Sequence, residues 1–430
     1  MNRARLFFLL VLACVLVSCE RDGLQVNLSV GESANTRKVM LLYEAGFNSL
    51  SGYISRNISQ LRKGYLPGRD PDDDVLLVVS HLTLGSYSVE TSPVLLRIYD
   101  DYGVARKDTL FTWPVGTSLA NKSMVTQVFD LVRTLFPAAS YGAVMSSHST
   151  GWLPAGYFSN PIDRKSTNQG KDGGDAVWLA PRQRTYGQEY VGRGTASEEI
   201  EIYDLAKAIP YHLDYLLFDA CLMGTVEVAW QLRDVCDYLA VSSCEIPGPG
   251  YDYTILTGRL LKPDVPDLQG ACYDYYKTYE HDTTYGATIT LVDCRSLDPL
   301  AEVCKDLFSR YRTEIRTLSG KNVQVYDRQV DSHTYHVFFD LKDMMREAGV
   351  SESDLADLQA ALDKAVVYEA HTDSFMIGFS GGLTLERCCG LSMYLPSYPD
   401  GRADIWHGTP YLDDFYKNHI SWNQATSLVE

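Results

Sequence analysis

The chain has no cysteine pair at the C-x-x-C spacing of a metal site, no run of Lys and Arg, and no stretch of about 18 consecutive apolar residues beyond Val17. These absences argue against a zinc module, a basic nucleic-acid patch and a membrane-spanning helix. Internal repeats and low-complexity tracts are also missing. Charged residues make up 22% and apolar residues 45%, which is the balance of a folded globular protein rather than a disordered one. Asp and Glu number 55 against 38 Lys and Arg, a formal net charge of −17. A surface this acidic repels a polyphosphate, so nucleic acid is not an expected partner. Cysteine is scarce too. Of ten, Cys14 and Cys19 lie near the start, and the other eight are too few for a disulfide scaffold. They are expected to be buried thiols that pack as small hydrophobes, with one reserved for chemistry. At 430 residues the chain can bury a core without covalent staples, as one large domain with a smaller one or as several.

What is present begins with a leader. Arg3 and Arg5 precede an apolar run from Leu6 to Val17 that is short for a bilayer span and fits a secretory signal. It ends in Leu16-Val17-Ser18-Cys19, which resembles the lipobox of bacterial lipoproteins, where the cysteine becomes the lipidated first residue of the mature chain. A plain signal peptide with a chance cysteine is the alternative. The resemblance implies lipidation at Cys19 and a chain held on a membrane without crossing it. The expected location is the bacterial cell envelope, as an outer-membrane or surface lipoprotein. Residues 20–37 are polar, carry Gly23, Gly31 and Asn35, and read as a tether.

From there strands alternate with helices. Val39–Tyr43, Val75–Val79, Val94–Ile98, Gly142–Met145, Tyr215–Phe218 and Tyr238–Val241 are short apolar runs of the kind buried on both faces of a sheet. Helical periodicity covers Leu50–Leu61, Ser123–Phe136, Glu198–Ile209 and Thr225–Val235, and Thr195 with Glu198 has capping-box spacing. This order predicts an α/β fold with a mostly parallel sheet flanked by helices. Residues 153–196 break the rhythm and read as a long surface loop, partly ordered at Ala176–Ala180. After Asp293 the pattern changes to amphipathic helices at Leu297–Leu318 and Glu352–Val367 and a strand at Gly390–Tyr394, a smaller C-terminal α+β region. The expected organisation is a signal over 1–19, a tether over 20–37, a main domain over 38–293 and a C-terminal region over 294–430.

Two strand ends carry the chemistry. The fourth run leads into Ser146-Ser147-His148-Ser149-Thr150-Gly151-Trp152, and the fifth into Phe218-Asp219-Ala220-Cys221-Leu222-Met223-Gly224. In open parallel sheets functional groups gather beyond the carboxyl ends of the strands. Neighbouring strands lie about 4.8 Å apart, so residues past two adjacent ends reach a common atom. A thiol and an imidazole so placed suit nucleophilic acyl transfer. Each alone is more commonly a packing residue, and it is the pairing that points to chemistry.

These motifs resemble the clostripain-type cysteine peptidases, of the group that includes gingipains, legumains and caspases. His148-Ser149-Thr150-Gly151-Trp152 is similar to the family's His-Gly-x-Gly-Trp, and Asp219-Ala220-Cys221-Leu222-Met223 with Glu227 to its cysteine motif. Ser243 to Tyr253, Gly390 to Pro396 and Tyr411 to Trp422 resemble further family segments. The likeness implies a caspase-like α/β fold over 38–293, with Cys221 as nucleophile and His148 as general acid and base. The backbone N–H groups of Cys221 and Ser149 would form the oxyanion hole. Ser149 stands where the family has glycine; it keeps the N–H but not glycine's access to positive φ. The turn Ala45-Gly46-Phe47-Asn48-Ser49-Leu50 likewise departs from the family's Ala-Asp-Asn-Asn-Leu.

The resemblance further implies cleavage after Arg or Lys, with Asp219 as the substrate-binding carboxylate and Glu245 and Asp252 as weaker candidates. A strand-end bond that holds its own turn is the other reading of Asp219. Some members cut themselves between the two catalytic motifs, where Arg164, Lys165, Lys171, Arg182, Arg184 and Arg193 lie here; a solvated loop explains them equally well. No cofactor is expected. Some relatives depend on Ca²⁺, and Asp70-Pro71-Asp72-Asp73-Asp74 is the one acidic run that could hold a cation or simply form a solvated turn. The function expected is therefore a lipid-anchored cysteine endopeptidase acting on proteins or peptides with basic residues. The alternatives are a binding lipoprotein on a weakened peptidase fold and an acyl-transferring transpeptidase.

Overall fold

Nine strands hydrogen-bond into one sheet: β1 Thr36–Ala45, β2 Val75–His81, β3 Val94–Asp101, β4 Val104–Thr112, β5 Ala138–Ser146, β6 Leu213–Asp219, β7 Cys236–Val241, β8 Thr288–Asp293 and β9 Val366–His371. In space the order is β9-β8-β7-β6-β5-β1-β2-β3-β4. The structure is a computed structural model that describes residues 36–70, 73–84, 89–155, 157, 186–190, 197–329 and 335–430. The expected signal, Cys19, nearly all of the tether, Ala176–Ala180 and the six basic loop residues lie outside the described residues.

The five middle strands, β7-β6-β5-β1-β2, are parallel. They are the apolar runs read from the sequence, and β2 is buried along its whole length. The two strands on each flank are antiparallel. Three of those four, β4, β8 and β9, have no counterpart in the sequence reading. β4 and β9 are half-exposed edge strands with no continuous apolar run. β4 returns on β3 through Tyr102 and Gly103, both at positive φ, the backbone of a two-residue hairpin turn.

Helices cover both faces. Val39, Leu41 and Tyr43 of β1 point into one core with α2 (Lys122–Leu135), α3 (Ile202–Ala208), α4 (Val226–Leu232) and α7 (Leu297–Thr317). Met40 and Leu42 point into the other with α1 (Ser51–Leu61), α5 (Tyr253–Leu261) and α6 (Leu268–Tyr279). The period-two alternation of a strand is what feeds two separate cores. Side-chain caps start several helices: Asn121 accepts from Met124 N at 3.0 Å and Thr225 from Val228 N at 3.1 Å. The helix predicted from Glu198 begins only at Ile202, because Ser197–Glu198 pair with Glu189–Tyr190 as short strands. Backbone committed to that ladder cannot also open a helix. All eight described cysteines are free thiols, six of them buried. Among the described residues no helix is long and apolar enough to cross a membrane.

The segment after Asp293 adds β9 to the sheet and packs α7, α9 (Glu352–Ala365), α10 (Pro410–His419) and α11 (Ser421–Thr426) into the first core. Between α7 and α9 lies the short α8 (Leu341–Glu347). Within the predicted strand Gly390–Tyr394, Ser392–Met393 pair with Phe339–Asp340. Ser392 N also donates to Gly224 O at 2.9 Å, which locks this segment behind the turn that follows β6. Glu227 of α4 completes the joint. Its buried Oε1 accepts from Tyr394 N at 2.9 Å and from the Tyr416 hydroxyl at 2.8 Å.

Burial pushes the Glu227 carboxyl up to about 7 from an ordinary 4.5. A group whose folded value is raised binds its proton more tightly in the folded chain, so stability falls as pH rises from about 4.5 through 7. Glu227→Gln keeps the acceptor and removes the titration. Urea unfolding at pH 5 and pH 8 should show the variant gaining on the wild type by on the order of 3 kcal/mol across that interval. Unfolding free energies that stay parallel would contradict this account of the joint.

Candidate active site

Residues Asp219 and Ser146 are register partners at the ends of the adjacent parallel strands β6 and β5. Cys221 and His148 each lie two residues further on. Two more contacts tie the loops that carry them. The Ser149 hydroxyl donates to the Cys221 carbonyl oxygen. Gly151, at φ +63°, sits so close that an added Cβ would lie 2.5 Å from Leu222 O. Leu222 itself has φ +57°, unusual for a side chain of that size, and its N–H donates to Cys244 O at 2.9 Å. This left-handed step directly after the cysteine is the sharp turn that ends β6. His148, Ser149 and Cys221 are thus brought together. Ser149 is not at positive φ, so serine in place of glycine carries no backbone strain; the position that needs glycine is Gly151.

The thiol is nearly enclosed, with Cys221 8% exposed. Its Sγ accepts from Ile246 N at 3.3 Å and lies 3.8 Å from Ile246 O. Burial, followed by the charge of Glu245, pushes the thiol up to about 12, while the Ile246 N–H and the Arg328 guanidinium oppose the shift. The Cys221 thiol is therefore held toward its neutral form.

Glu245 is 2.5 Å from Arg328 Nε, and both side chains are largely buried. The Arg328 Nη1 also donates to Ser380 O at 3.2 Å. Glu245, a weaker candidate for substrate binding in the sequence reading, is thus committed to an arginine of its own chain. Nothing in the sequence announces Arg328, which lies 83 residues from its partner.

His148 is buried, and its Nε2 is hydrogen-bonded to Ser49 Oγ at 2.9 Å. Ser49 belongs to the 45–50 turn that departs from the family pattern. Asn48 holds that turn, donating to Ala45 O at 3.0 Å and Gln188 O at 2.6 Å and accepting from Leu50 N at 2.8 Å. The buried Glu189 carboxylate adds bonds from Phe47 N at 3.3 Å and His81 Nδ1 at 3.0 Å. The sequence marked this turn as altered but did not single out the serine as an imidazole partner.

Asp219 is buried, accepts the Tyr253 hydroxyl at 2.8 Å, and is bonded by the Ser146 side chain and the Tyr251 backbone. Burial outweighs these bonds and pushes its carboxyl up to about 6. Gly250, at φ +64°, lies against it; a Cβ there would be 2.5 Å from both carboxyl oxygens. Asp252, the weaker candidate, caps α5 through Thr254 N at 2.9 Å. In the acidic run, Asp74 pairs with Lys38 Nζ at 3.1 Å and Asp72 lies outside the described residues. Among the described residues no cluster of three or more His, Cys, Asp or Glu side chains could hold a metal ion.

A histidine and a cysteine beyond adjacent strands of a helix-flanked sheet define the architecture of a caspase-like cysteine peptidase. Residues 42–427 match the clostripain family, Peptidase C11, and the chain belongs to that family. It is 24% identical over 260 residues to clostripain of Hathewaya histolytica, covering 55% of this chain and 44%, less than half, of that relative. Among solved structures it resembles an inactive zymogen C11 protease from Parabacteroides distasonis at TM-score 0.71 and 26% identity, over 92% of this chain and 99% of the other. A secreted C11 cysteine protease from Bacteroides thetaiotaomicron, solved with an irreversible peptide inhibitor, matches in fold at TM-score 0.70 and 24% identity, over 91% of this chain and 99% of the other.

The charges around the thiol can be tested directly. Glu245→Gln removes a neighbour that raises the Cys221 pKa and leaves Arg328 beside the sulfur. Iodoacetamide should then alkylate Cys221 several-fold faster at pH 8, with the half-maximal rate at lower pH. An unchanged alkylation profile in the folded variant would remove Glu245 from the electrostatics of Cys221.

Proposed function

We propose that this clostripain-family chain is a cysteine endopeptidase that cleaves after Arg or Lys with a Cys221–His148 dyad and is anchored to the bacterial cell envelope through a lipid on Cys19. The observation that carries the dyad is the register match of Ser146 with Asp219, which sets the imidazole and the thiol beyond two adjacent strand ends. In this reading His148 takes the thiol proton as Sγ attacks the scissile carbonyl carbon. With Nε2 engaged by Ser49, the Nδ1 side of the ring serves the reaction. The oxyanion forms against the N–H groups of Cys221 and Ser149. Collapse of the tetrahedral species expels the amine, which leaves with the proton from His148, and a thioester remains. Water then gives a proton to His148 and attacks the thioester; the acid product departs and the thiol regains its proton.

The basic-residue preference rests on Asp219, a carboxylate two residues before the nucleophile and below it on the sheet. A guanidinium or ammonium ion entering beside it stabilises the ionised carboxyl and is held by charge-assisted hydrogen bonds. The substrates are proteins or peptides with exposed basic residues. The lipid anchor rests on the Leu16–Cys19 motif, and the envelope location follows from it.

Peptidyl esters of Arg and Lys should be hydrolysed by the reduced protein, and Cys221→Ala should lower kcat/KM by at least about 10⁴-fold. Absence of thiol-dependent turnover of any basic peptide by the wild type would reject the reading. Ester consumption with added amine appearing in the product would identify a transpeptidase instead. For the anchor, mature protein should begin at an acylated Cys19 and partition with membranes, and Cys19→Ala should move it to the soluble fraction. An unmodified wild-type N-terminus would refute lipidation.

A further inference from the structure

Cys221 and His148 lie beyond the carboxyl ends of the parallel strands, and β1 enters the sheet at the opposite end. It starts at Thr36, pairs Val39 with Val75 of β2, and rises to the turn where Ser49 meets His148. With 10 residues, β1 sets the two ends of the sheet about 30 Å apart. β3 runs antiparallel to β2, with Ser80 opposite Val94 and Leu76 opposite Ile98. The β3–β4 turn at Tyr102 and Gly103 therefore projects from the end where β1 begins. α5 ends there as well. Lys38, near the start of β1, donates from Nζ to Leu261 O at 2.7 Å and to Pro263 O, and pairs with Asp74 at 3.1 Å. These bonds fix the turn between α5 and α6 at the same end.

Among the described residues the two most exposed large apolar side chains are Tyr102, at 101%, and Val265, at 77%. Both stand on these two turns, and Val104, next to the first, is exposed too. A scattered exposed apolar side chain is ordinary, but Tyr102 is held at a cost. It has φ +53° and Gly103 φ +84°, hairpin positions that favour Asn, Asp and Gly. A tyrosine kept there with its ring wholly in solvent gains nothing from packing within the chain. The carboxylates nearby are engaged: Asp100 accepts from Gly103 N at 3.0 Å, Asp101 lies 3.7 Å from Arg106 Nε, and Asp73 accepts from Gly68 N at 3.3 Å. Arg69, Asp70, Lys262 and Asp264 are exposed, so this surface carries both signs and suits zwitterionic headgroups. Tyrosine rings settle at the boundary between headgroups and hydrocarbon, with long basic side chains reaching back to water.

We propose that this end of the sheet is a bilayer-docking surface, with the Tyr102 ring and Val265 seated at the headgroup boundary and Cys221 held on the far side, facing water. The inference rests on the lipid-anchor reading of Cys19 given above and adds the surface through which the folded body meets the membrane. Chain length says why a bilayer is the occupant. Residues 20–35 join Cys19 to Thr36 and reach at most about 60 Å when fully extended. The end that carries Tyr102 meets the bilayer with no detour of that linker. The catalytic end meets it only if the linker first runs back along the roughly 30 Å height of the sheet. Substrates then approach from the aqueous side, and bonds close to the bilayer surface lie out of reach of Cys221.

The test is hydroxyl-radical labelling, read residue by residue by mass spectrometry, of the lipidated chain on phosphatidylcholine vesicles and of the Cys19→Ala chain in solution. Tyr53, 40% exposed with its ring against Gly248, reports on the catalytic end. On vesicles Tyr102 should be labelled about fivefold less than in solution, and Tyr53 equally in both. Val265→Asp leaves the hairpin turn untouched and should raise Tyr102 labelling on vesicles about twofold, with peptidase activity in solution unchanged. Tyr102 labelled as fast on vesicles as in solution overturns the proposal, and so does shielding of Tyr53 in its place. Shielding of Tyr102 that ignores Val265→Asp overturns the two-turn surface. Tyr102 labelling that rises on dilution of the Cys19→Ala chain would assign the cover to a second copy and overturn it too. A wild-type chain with no acyl group on Cys19 sinks the anchor reading itself, whereas an acylated, vesicle-bound chain with Tyr102 unshielded sinks this proposal alone.

Discussion

The parallel ladder between β5 and β6 is the constraint on which the rest of this molecule depends. Its register sets Ser146 opposite Asp219, and two residues later a histidine and a cysteine leave the sheet side by side. A shift of one residue would turn one of the two side chains to the other face. The ladder is protected against such a shift because both strands are buried in their C-terminal halves and feed apolar residues into both cores. The left-handed Leu222 and the close approach of Gly151 then convert the register into a tight pair of turns. Strain at Leu222 is tolerated because its N–H is tied to Cys244 O and the C-terminal segment presses on Gly224 from behind.

Buried charge is the second theme. Cys221, Asp219, Glu227 and Glu44 are all held toward their protonated forms by burial. Each has a different remedy. Glu227 has two donors from the C-terminal segment and acts as a structural joint. Asp219 has three partners and still lies raised by burial. Cys221 is balanced between the opposite charges of Glu245 and Arg328. Glu44 has the Asn57 side chain to oppose the shift.

Much of the central sheet was legible in the sequence. The six apolar runs correspond to six of its nine strands, because a strand buried on both faces must be continuously apolar. β4 and β9 were not legible, because edge strands expose one face and carry polar residues without a clear period. α3 was read too long because a capping-box spacing cannot show that Glu198 is already paired with Glu189. Cys221 and His148 stood out for the same local reason as the strands, an apolar run broken abruptly by a reactive side chain and small residues. Ser49 was visible only as part of an altered turn, and Arg328 not at all.

Local pattern therefore determined where the chain forms buried strands, where a histidine and a cysteine follow two of them, and the α/β class of the whole. The partners of the carboxylates were decided in three dimensions. Glu245 is taken by Arg328, Asp252 by the start of α5, and Asp219 lies beside Glu44 across an intervening strand. Burial and charge compensation act between residues far apart in the chain. No spacing along one segment records which partner an acidic group will find.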